Sequence, residues 1–523
     1  MSGRLGLVAL VLPTPRNYPA KVTGGGYSRR RFLRHAGVGA LAAGATFASA
    51  RATGLFSDPG THGFGRMFEL PPFADESREL IDALLEIGRP GGMLDAKDDF
   101  GLGAKKLFLE KYILVDDSLY RFVPDKANPS TRESVAGNTF LAQFIAHDVT
   151  FDASSTLGRP ADVHRSPNAR TPALDLESIY GGGPTLSPHL YDGPKLRVES
   201  GGIHEDVPRA AGGRALISDP RNDQTAILAA LHAAFLLFHN NAVDRVKTFE
   251  RARRETLWHY QWLVLHEFLP HLVGRETTED VMRNGRRFFR PGDQVFVPVE
   301  FAGAAFRFGH SMVRPSYRMN FKADDGEPYF AFTFDPRDND KAVPDDLRGG
   351  SRQERRYVDW ESFFDFGDGQ VGRPKSIDTR ISTTLFQLPL AAIPTHDTPL
   401  VLPQRDLLRQ VTWQLPSGQA IAKELGVEPL TPLNVGDLEP FGLERNTPLW
   451  YYVLKEAELR EKGARLGPVG GRIVAETLIG LLELDPQSFV RQQPDWTPTF
   501  GDRDFGITDF LSFAGVHPRH DAA

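Results

Sequence analysis

A histidine and an aspartate stand side by side, His147-Asp148, at the end of the apolar stretch Phe140-Leu141-Ala142-Gln143-Phe144-Ile145-Ala146. On a helix, neighbours point about 100° apart and residues four apart share a face. Gln143 and His147 therefore point one way, with Phe140 and Phe144 beside them, and Asp148 points another. An imidazole over an aromatic-walled cavity can act as acid and base. A carboxylate on the adjacent side can hold a cation that pins the helix. The bland alternative is a satisfied polar pair where the helix surfaces.

Further stretches bear on chemistry. Ala305-Phe306-Arg307-Phe308-Gly309-His310 carries a second histidine among aromatics, which alone reads as a core histidine. Ser218-Asp219-Pro220-Arg221 is a cap and first-turn pair followed by an arginine. A cation in a first turn is disfavoured by the helix dipole, so Arg221 asks for a reason. His266-Glu267-Phe268-Leu269-Pro270-His271 nearly spells a zinc-protease motif, but its second histidine comes one position late and a proline interrupts the helix. Gly467-Pro468-Val469-Gly470-Gly471 lacks the Gly-Lys-Ser/Thr of a phosphate loop and reads as a helix lead-in. The acidic loops at 335–340 and 365–368 lack the ligand spacing of an EF-hand.

The elements that must position these residues are mostly helical. Periodicity predicts helices over about Ser77–Ile87, 138–149 with Asn138 or Thr139 as cap, a stripe of Ile227, Leu231, Phe235, Phe238 and Ala242, and Arg253 to Leu269 stopped by Pro270. Further helices are expected over about 297–313, Leu400–Trp413, Ser417–Leu425, Pro448–Lys462 and Arg472–Leu484. Residues 122–137 and 152–218 read as loops, and neither a repeat nor a strand–helix alternation is visible. The expected class is mainly α, with long loops and little sheet.

Composition narrows the functions. The 523 residues include no cysteine, which excludes disulfides, iron–sulfur clusters and thiolate chemistry. The N-terminus reads as a transport signal over residues 1–50: Ser28-Arg29-Arg30-Arg31-Phe32-Leu33-Arg34 is a twin-arginine signature, then an alanine- and glycine-rich stretch leads to Ala48-Ser49-Ala50, a small-residue cleavage site. Residues 1–27 are a long lead-in that a misassigned start codon would explain. Residues 51–70 read as a flexible lead and 71–523 as one domain. Seven of the 61 basic residues and none of the 67 acidic ones lie in residues 1–50, leaving the rest near −13, which argues against a nucleic-acid or anionic-lipid partner. No apolar run approaches a membrane span of about 20 residues. The expectation is export by the twin-arginine machinery to the periplasm or beyond, a route for folded, often cofactor-loaded proteins.

Taken in order, these motifs resemble those of the animal-type haem peroxidases, the peroxidase–cyclooxygenase superfamily, here as an exported bacterial member. The family carries Gln-x-x-Asp-His-Asp, and this chain has Gln143-Phe144-Ile145-Ala146-His147-Asp148. The resemblance makes His147 the distal histidine, Gln143 the distal glutamine and Asp148 the first calcium ligand. Thr171-Pro172-Ala173-Leu174-Asp175-Leu176-Glu177, leading to Tyr180-Gly181, matches the second calcium segment. Thr171, Ala173 through its carbonyl, Asp175 and Glu177 would complete that all-oxygen site, with Glu177 where serine is usual. Arg221 falls at the catalytic arginine. Ala305-Phe306-Arg307-Phe308-Gly309-His310 is similar to Phe-Arg-Tyr-Gly-His, which makes His310 the axial ligand of haem iron. Asp406-Leu407-Leu408-Arg409, followed by Leu415-Pro416, matches Asn-x-x-Arg. Asp406 would accept the other ring N–H of His310, and Arg409 would join the haem site. The resemblance runs from about residue 100 to 480.

It implies a multi-helical peroxidase fold and a haem peroxidase that reduces hydrogen peroxide and oxidises a small-molecule electron donor. Mammalian members bind haem through esters, but the two ester positions are Ala146 and Gln224, and the sulfonium-forming methionine is Thr225. Haem b is therefore expected to be held non-covalently. With Asp406 enriching the axial imidazole, phenols, iodide, thiocyanate or bromide are expected before chloride. Cyclooxygenases place a radical-forming tyrosine where Arg307 stands, which argues against a fatty-acid dioxygenase, although Tyr317 and Tyr260 keep that reading open. A secreted helical binding module on a peroxidase scaffold is the non-enzyme alternative.

Overall fold

The computed structural model describes residues 62–109, 113–114, 120–121, 134–200, 205–338, 345–350, 354–393, 395, 397–501 and 504–516. The signal region at 1–50 and most of the polar stretch 122–137 lie outside the described residues. From His62 onward the described residues form one compact unit.

Among the described residues the helices that bear on the site and core include α1 (Arg78–Ile87), α2 (Ala136–Val149), α3 (Ala226–Val246), α4 (Phe249–Leu263), α5 (Leu402–Thr412), α6 (Leu449–Arg460), α7 (Pro468–Leu484) and α8 (Ile507–Ala514). Other helices, helical turns and loops join them, and among the described residues the strands form five two-stranded pairs of two or three residues each. The fold is mainly α with little sheet, as the periodicity predicts.

The core is aromatic. Phe144 of α2 stacks on Phe235 of α3 with centroids 4.4 Å apart, and Phe238 stacks on Phe510 of α8 at 4.2 Å. Tyr260 of α4 meets both Phe144 and Phe235 edge-on. Such pairs add about 0.5–1.5 kcal/mol each beyond the area they bury. They lock α2 against α3, the two helices next to the candidate site. α3 is long and apolar enough to cross a membrane, yet its apolar face is spent inside the protein.

Several boundaries depart from the sequence reading. α2 begins at Ala136 with Val135 as cap, two residues ahead of the predicted Asn138. Its first N–H groups need no side-chain cap because Ala136 N donates to Gly372 O and Gly137 N to Phe363 O. Gly137 also lies so close to Phe364 that a Cβ there would sit 2.4 Å from the ring. The helix expected to stop at Pro270 instead widens into a π turn at Val264–Phe268 and continues through Leu269–Val273. Pro270 lies just past that π turn, whose widened hydrogen-bond pattern accommodates its missing N–H. The helix expected over 297–313 is broken into Val299–Gly303, Ala305–Phe308 and Gly309–Met312, with Ala304 outside helical geometry between the first two. α7 begins at Pro468 rather than Arg472. The flexible lead expected over 51–70 fails for its second half: Phe64–Gly65 pairs with Val297–Pro298, and Phe64, Met67 and Phe68 are buried.

Candidate active site

His147 and His310, 163 positions apart in the chain, line one cavity together with Phe140, Phe301, Phe306 and Trp413. Each histidine has a single partner on Nδ1, and the two partners differ in charge.

His310 enters on the short helix Gly309–Met312. Its Nδ1 lies 2.6 Å from Asp406 Oδ2, and Arg307 Nη1 donates to Asp406 Oδ1 at 3.0 Å. Asp406 is fully buried within α5 rather than capping it. Burial pushes its carboxyl up, but His310 and Arg307 outweigh that and hold it below the ordinary range. Arg307 is fixed in turn by Nε donating to Ala302 O at 2.8 Å. With Nδ1 committed to an acceptor, His310 has Nε2 left to ligate a metal.

His147 sits on the last turn of α2 with Nδ1 2.9 Å from Asn222 Oδ1. Burial, then the Arg221 charge, lowers its pKa to about 3, so the ring is neutral at any ordinary pH. Gln143, one turn back, donates Nε2 to Gln224 Oε1 at 2.8 Å, and Gln224 donates to Ala392 O at 2.7 Å.

Arg221 lines the same cavity, but its donors are heavily committed. Nη1 donates to Thr150 O at 2.7 Å and Nη2 to His147 O at 2.8 Å, while Nε and Nη2 both reach Asp219. The guanidinium lies over the Phe151 ring at 4.2 Å. Asp219 turns its own main chain as well, accepting from Arg221 N at 2.9 Å to cap the turn Pro220–Asp223. Thr225, not Asp219, caps α3. Asp219 also takes Arg170 Nη2 at 2.6 Å, and these two arginines hold it far below the ordinary carboxylate range against its burial.

The rim is cationic. Arg409 bonds Asp152 and Ser155 and lies over Trp413 at 4.9 Å. Arg405, one helical turn before it, bonds Asp397 at 2.8 Å and lines the cavity too. Gly303 lies against Trp413, where a Cβ would come within 2.7 Å of the indole, so the chain before His310 can pack against α5.

Residues 156–356 match the family model described as animal haem peroxidase. Over that stretch the chain is similar to the animal haem peroxidases. The matched stretch holds Thr171, Asp175, Glu177, Arg221 and His310, while His147 and Asp406 lie on either side of it. Among curated relatives, peroxidase skpo-1 of Caenorhabditis elegans is 28% identical over 174 residues, 31% of this chain and 26% of that protein. The chorion peroxidase of Aedes aegypti is 28% identical over 184 residues, 30% of this chain and 23% of that protein. The chain thus matches about a quarter of the length of these relatives. Among solved structures, peroxidase A of Dictyostelium discoideum shares the fold with a TM-score of 0.55 at 14% identity, covering 85% of this chain and 92% of that one. A fatty acid alpha-dioxygenase of Oryza sativa does so with a TM-score of 0.52 at 14% identity, covering 88% and 82%.

Haem is the group this peroxidase family implies, and the cavity's residues fit it. Apolar and aromatic walls suit a porphyrin, two imidazoles line the space, and Arg405 and Arg409 supply cations for acidic side groups.

On the other face of α2, the chain gathers the residues the resemblance assigns to calcium. Asp148 Oδ1 accepts from Ser178 Oγ at 2.9 Å, and Oδ2 accepts from Leu176 N at 3.1 Å. Thr171 Oγ1 lies 2.8 Å from both Asp175 Oδ2 and Glu177 Oε2. Burial, then the charges of Asp148 and Glu177, raises Asp175 well above its ordinary pKa. Among the described residues, however, no group of three or more acidic or histidine side chains stands in metal-holding geometry. In the near-zinc motif, Glu267 accepts from Ile507 N at 2.7 Å at the start of α8, and the His266 ring packs on Trp262.

Sequence reasoning missed Asn222, His232, Gln224 as the partner of Gln143, Arg405 and Trp413. Asn222 and Arg405 sit next to or four residues before assigned arginines, which is the signal that could have found them. Nothing local marked His232 or Trp413, because their contacts join distant segments.

Proposed function

We propose that this chain is a haem-dependent peroxidase that reduces hydrogen peroxide and oxidises small organic or (pseudo)halide donors. The observation that carries the reading is one cavity lined by two histidines with opposite support: His310 with Nδ1 on a buried carboxylate and His147 with Nδ1 on a neutral amide. The first arrangement would make His310 an electron-rich ligand for a metal, and the second keeps His147 a neutral base.

Bound haem supplies the redox chemistry of peroxide reduction. The chain's own residues then have separable tasks. His310 Nε2 would hold the iron, and Asp406 keeps that ring oriented. His147 Nε2 takes the proton from one peroxide oxygen and delivers it to the other, which leaves as water. Arg221 acts as a fixed positive field for the charge on the leaving oxygen, since its hydrogen bonds hold it still. Gln143 supplies a side-chain amide one turn from the base.

Haem is held without covalent bonds in this reading. The ester positions are Ala146 and Gln224, Gln224 is engaged by Gln143 and Ala392, and Thr225 Oγ1 is spent capping α3. Calcium belongs to the same reading through Asp148, Thr171, Ala173, Asp175 and Glu177: burial and neighbouring carboxylate charge raise Asp148 and Asp175, a strain that a bound cation would relieve. Export through the twin-arginine machinery rests on residues 28–50.

The solved neighbours include fatty acid alpha-dioxygenases, which supports a second reading, an oxylipin-forming dioxygenase. Against it, no tyrosine stands among the described residues that line the cavity, and Arg307 is tied to Asp406.

The deciding experiment is an absorption spectrum of protein expressed with haem available, before and after hydrogen peroxide. The expected result is a Soret band that shifts on adding peroxide, returns on adding a phenol, and is lost in His310→Ala. Colourless protein, or an unchanged spectrum in His310→Ala, overturns the proposal. Oxygen uptake with linoleate but no reaction with peroxide would select the dioxygenase.

A further inference from the structure

A neutral imidazole carries one proton, and which nitrogen holds it decides what the ring can do. If Nδ1 of His147 keeps the proton, Nε2 is a lone pair and the residue is a base. If Nε2 keeps it, the cavity meets an N–H donor that cannot accept the proton of peroxide.

The choice is made outside the cavity wall. Asn222 Oδ1 lies 2.9 Å from His147 Nδ1, and Asn222 Nδ2 lies 3.1 Å from Nδ1 of His232 on α3. His232 and Asn222 are almost wholly buried, at 1% and 0% exposure, so no solvent competes for these bonds. Neither Asn222 nor His232 is among the residues lining the cavity. An amide has one oxygen acceptor and one NH2 donor, and the two histidines take one each. With Asn222 Nδ2 donating to His232, its oxygen is turned to His147 and can only accept. His147 must then place its proton on Nδ1.

The backbone holds this amide in place. Asn222 lies in the turn Pro220–Asp223, its N donating to Asp219 O at 3.0 Å, and Asp219 caps that turn while binding Arg221. One short turn thus carries both the arginine beside the cavity and the amide behind the base. The neutral amide also differs from the carboxylate behind His310. A carboxylate there would pull the imidazole towards its charged, spent form.

We infer that Asn222, held by His232, is the positioning residue that fixes His147 as the tautomer able to accept a proton from peroxide. The inference rests on the peroxidase reading for its consequence in catalysis, but the tautomer itself can be read without turnover.

The test uses the haem-loaded full chain and three variants, Asn222→Leu, Asn222→Asp and His232→Phe. Two rates are followed by stopped-flow at the Soret band: reaction with peroxide and association of cyanide, which binds after hydrogen cyanide gives up its proton to a base. Asn222→Leu is expected to slow both by about 100-fold, the low end of general-base effects, with kcat/KM for the phenolic donor unchanged. Asn222→Asp keeps an acceptor oxygen but favours the charged ring, and is expected to recover only part of the cyanide rate. His232→Phe, which frees the amide to turn over, is expected to fall between. Equal cyanide rates in wild type and Asn222→Leu, with haem content equal, overturn the inference. Wild type that binds cyanide but ignores peroxide defeats the peroxidase reading while the cyanide comparison still decides the tautomer. If Asn222→Leu does not take up haem, the inference stands or falls on His232→Phe: a cyanide rate equal to wild type overturns it.

Discussion

At the scale of single residues, the site turns on what each ionic group is paired with. The sequence reading treated Asp406 as a lone carboxylate enriching His310. The structure adds Arg307 on its other oxygen, 3.0 Å away, so the negative charge behind the His310 imidazole is partly neutralised. Asp406→Asn keeps an acceptor for His310 Nδ1 but leaves Arg307 without its charge partner. Haem affinity is expected to fall about 10- to 100-fold, the usual effect of losing such a partner, and the ferric–ferrous potential to rise; titration with haem and a spectroelectrochemical potential check both. A potential unchanged from wild type would show that Arg307 already cancels the carboxylate. Asp219 is the other such residue. It lies between Arg170 and Arg221 with no exposure of its side chain. Asp219→Ala leaves two buried guanidinium groups facing each other, and a loss of about 3–5 kcal/mol in unfolding free energy is expected by denaturant titration.

At the scale of elements, one histidine of α4 helps hold the C-terminal segment. His259 Nδ1–H donates to Glu255 O at 2.7 Å, while Nε2 accepts from Thr499 N at 3.1 Å and Phe500 N at 3.2 Å. Both nitrogens are used in the neutral form, so a second proton would break the bonds to 499 and 500. Burial lowers this pKa to about 4 from 6.5. The unfolded chain therefore binds a proton at a higher pH than the folded one. The contribution is complete above about pH 6.5 and lost as pH falls towards 4, at most ~3 kcal/mol in all. His259→Gln is expected to lower stability at pH 7.5 and to flatten the fall between pH 6.5 and 4, measured as melting temperature against pH. A slope identical to wild type would assign the acid sensitivity to other buried histidines such as His232 and His239, whose pKa values are also lowered by burial. The same scale explains the missed boundaries. α2 starts early and the chain passes Pro270 because distant carbonyls and a π turn satisfy backbone groups that no local residue could.

At the scale of the whole molecule, a largely apolar cavity inside a helical frame couples cofactor to fold. A group that binds only the folded state stabilises it by about 2.7 kcal/mol when present at 100 times its dissociation constant. Haem loading is expected to raise the melting temperature by a few degrees, and acid–acetone extraction to strip all pigment and reverse the gain. Pigment left on the chain would contradict Ala146 and Gln224 as non-linking positions. Calcium is tested separately: chelation is expected to lower the melting temperature of the haem-loaded protein, and calcium, but not magnesium, to restore it, because the larger ion takes irregular oxygen sites.

The amino-acid sequence alone determined the helical class, the absence of thiol chemistry, the face shared by Gln143 and His147, and, through motif resemblance, the pairing of His310 with Asp406. These follow from local spacing, from composition, or from motifs short enough to be read in one stretch. Only the tertiary structure decided that Arg221 is bound to the carbonyls of His147 and Thr150, that Arg307 shares Asp406, and that Asn222 stands between two histidines. Those contacts join segments that are mostly far apart in the chain. A side chain's type limits which bonds it can make, but the folded backbone selects which of the possible partners comes within 3 Å.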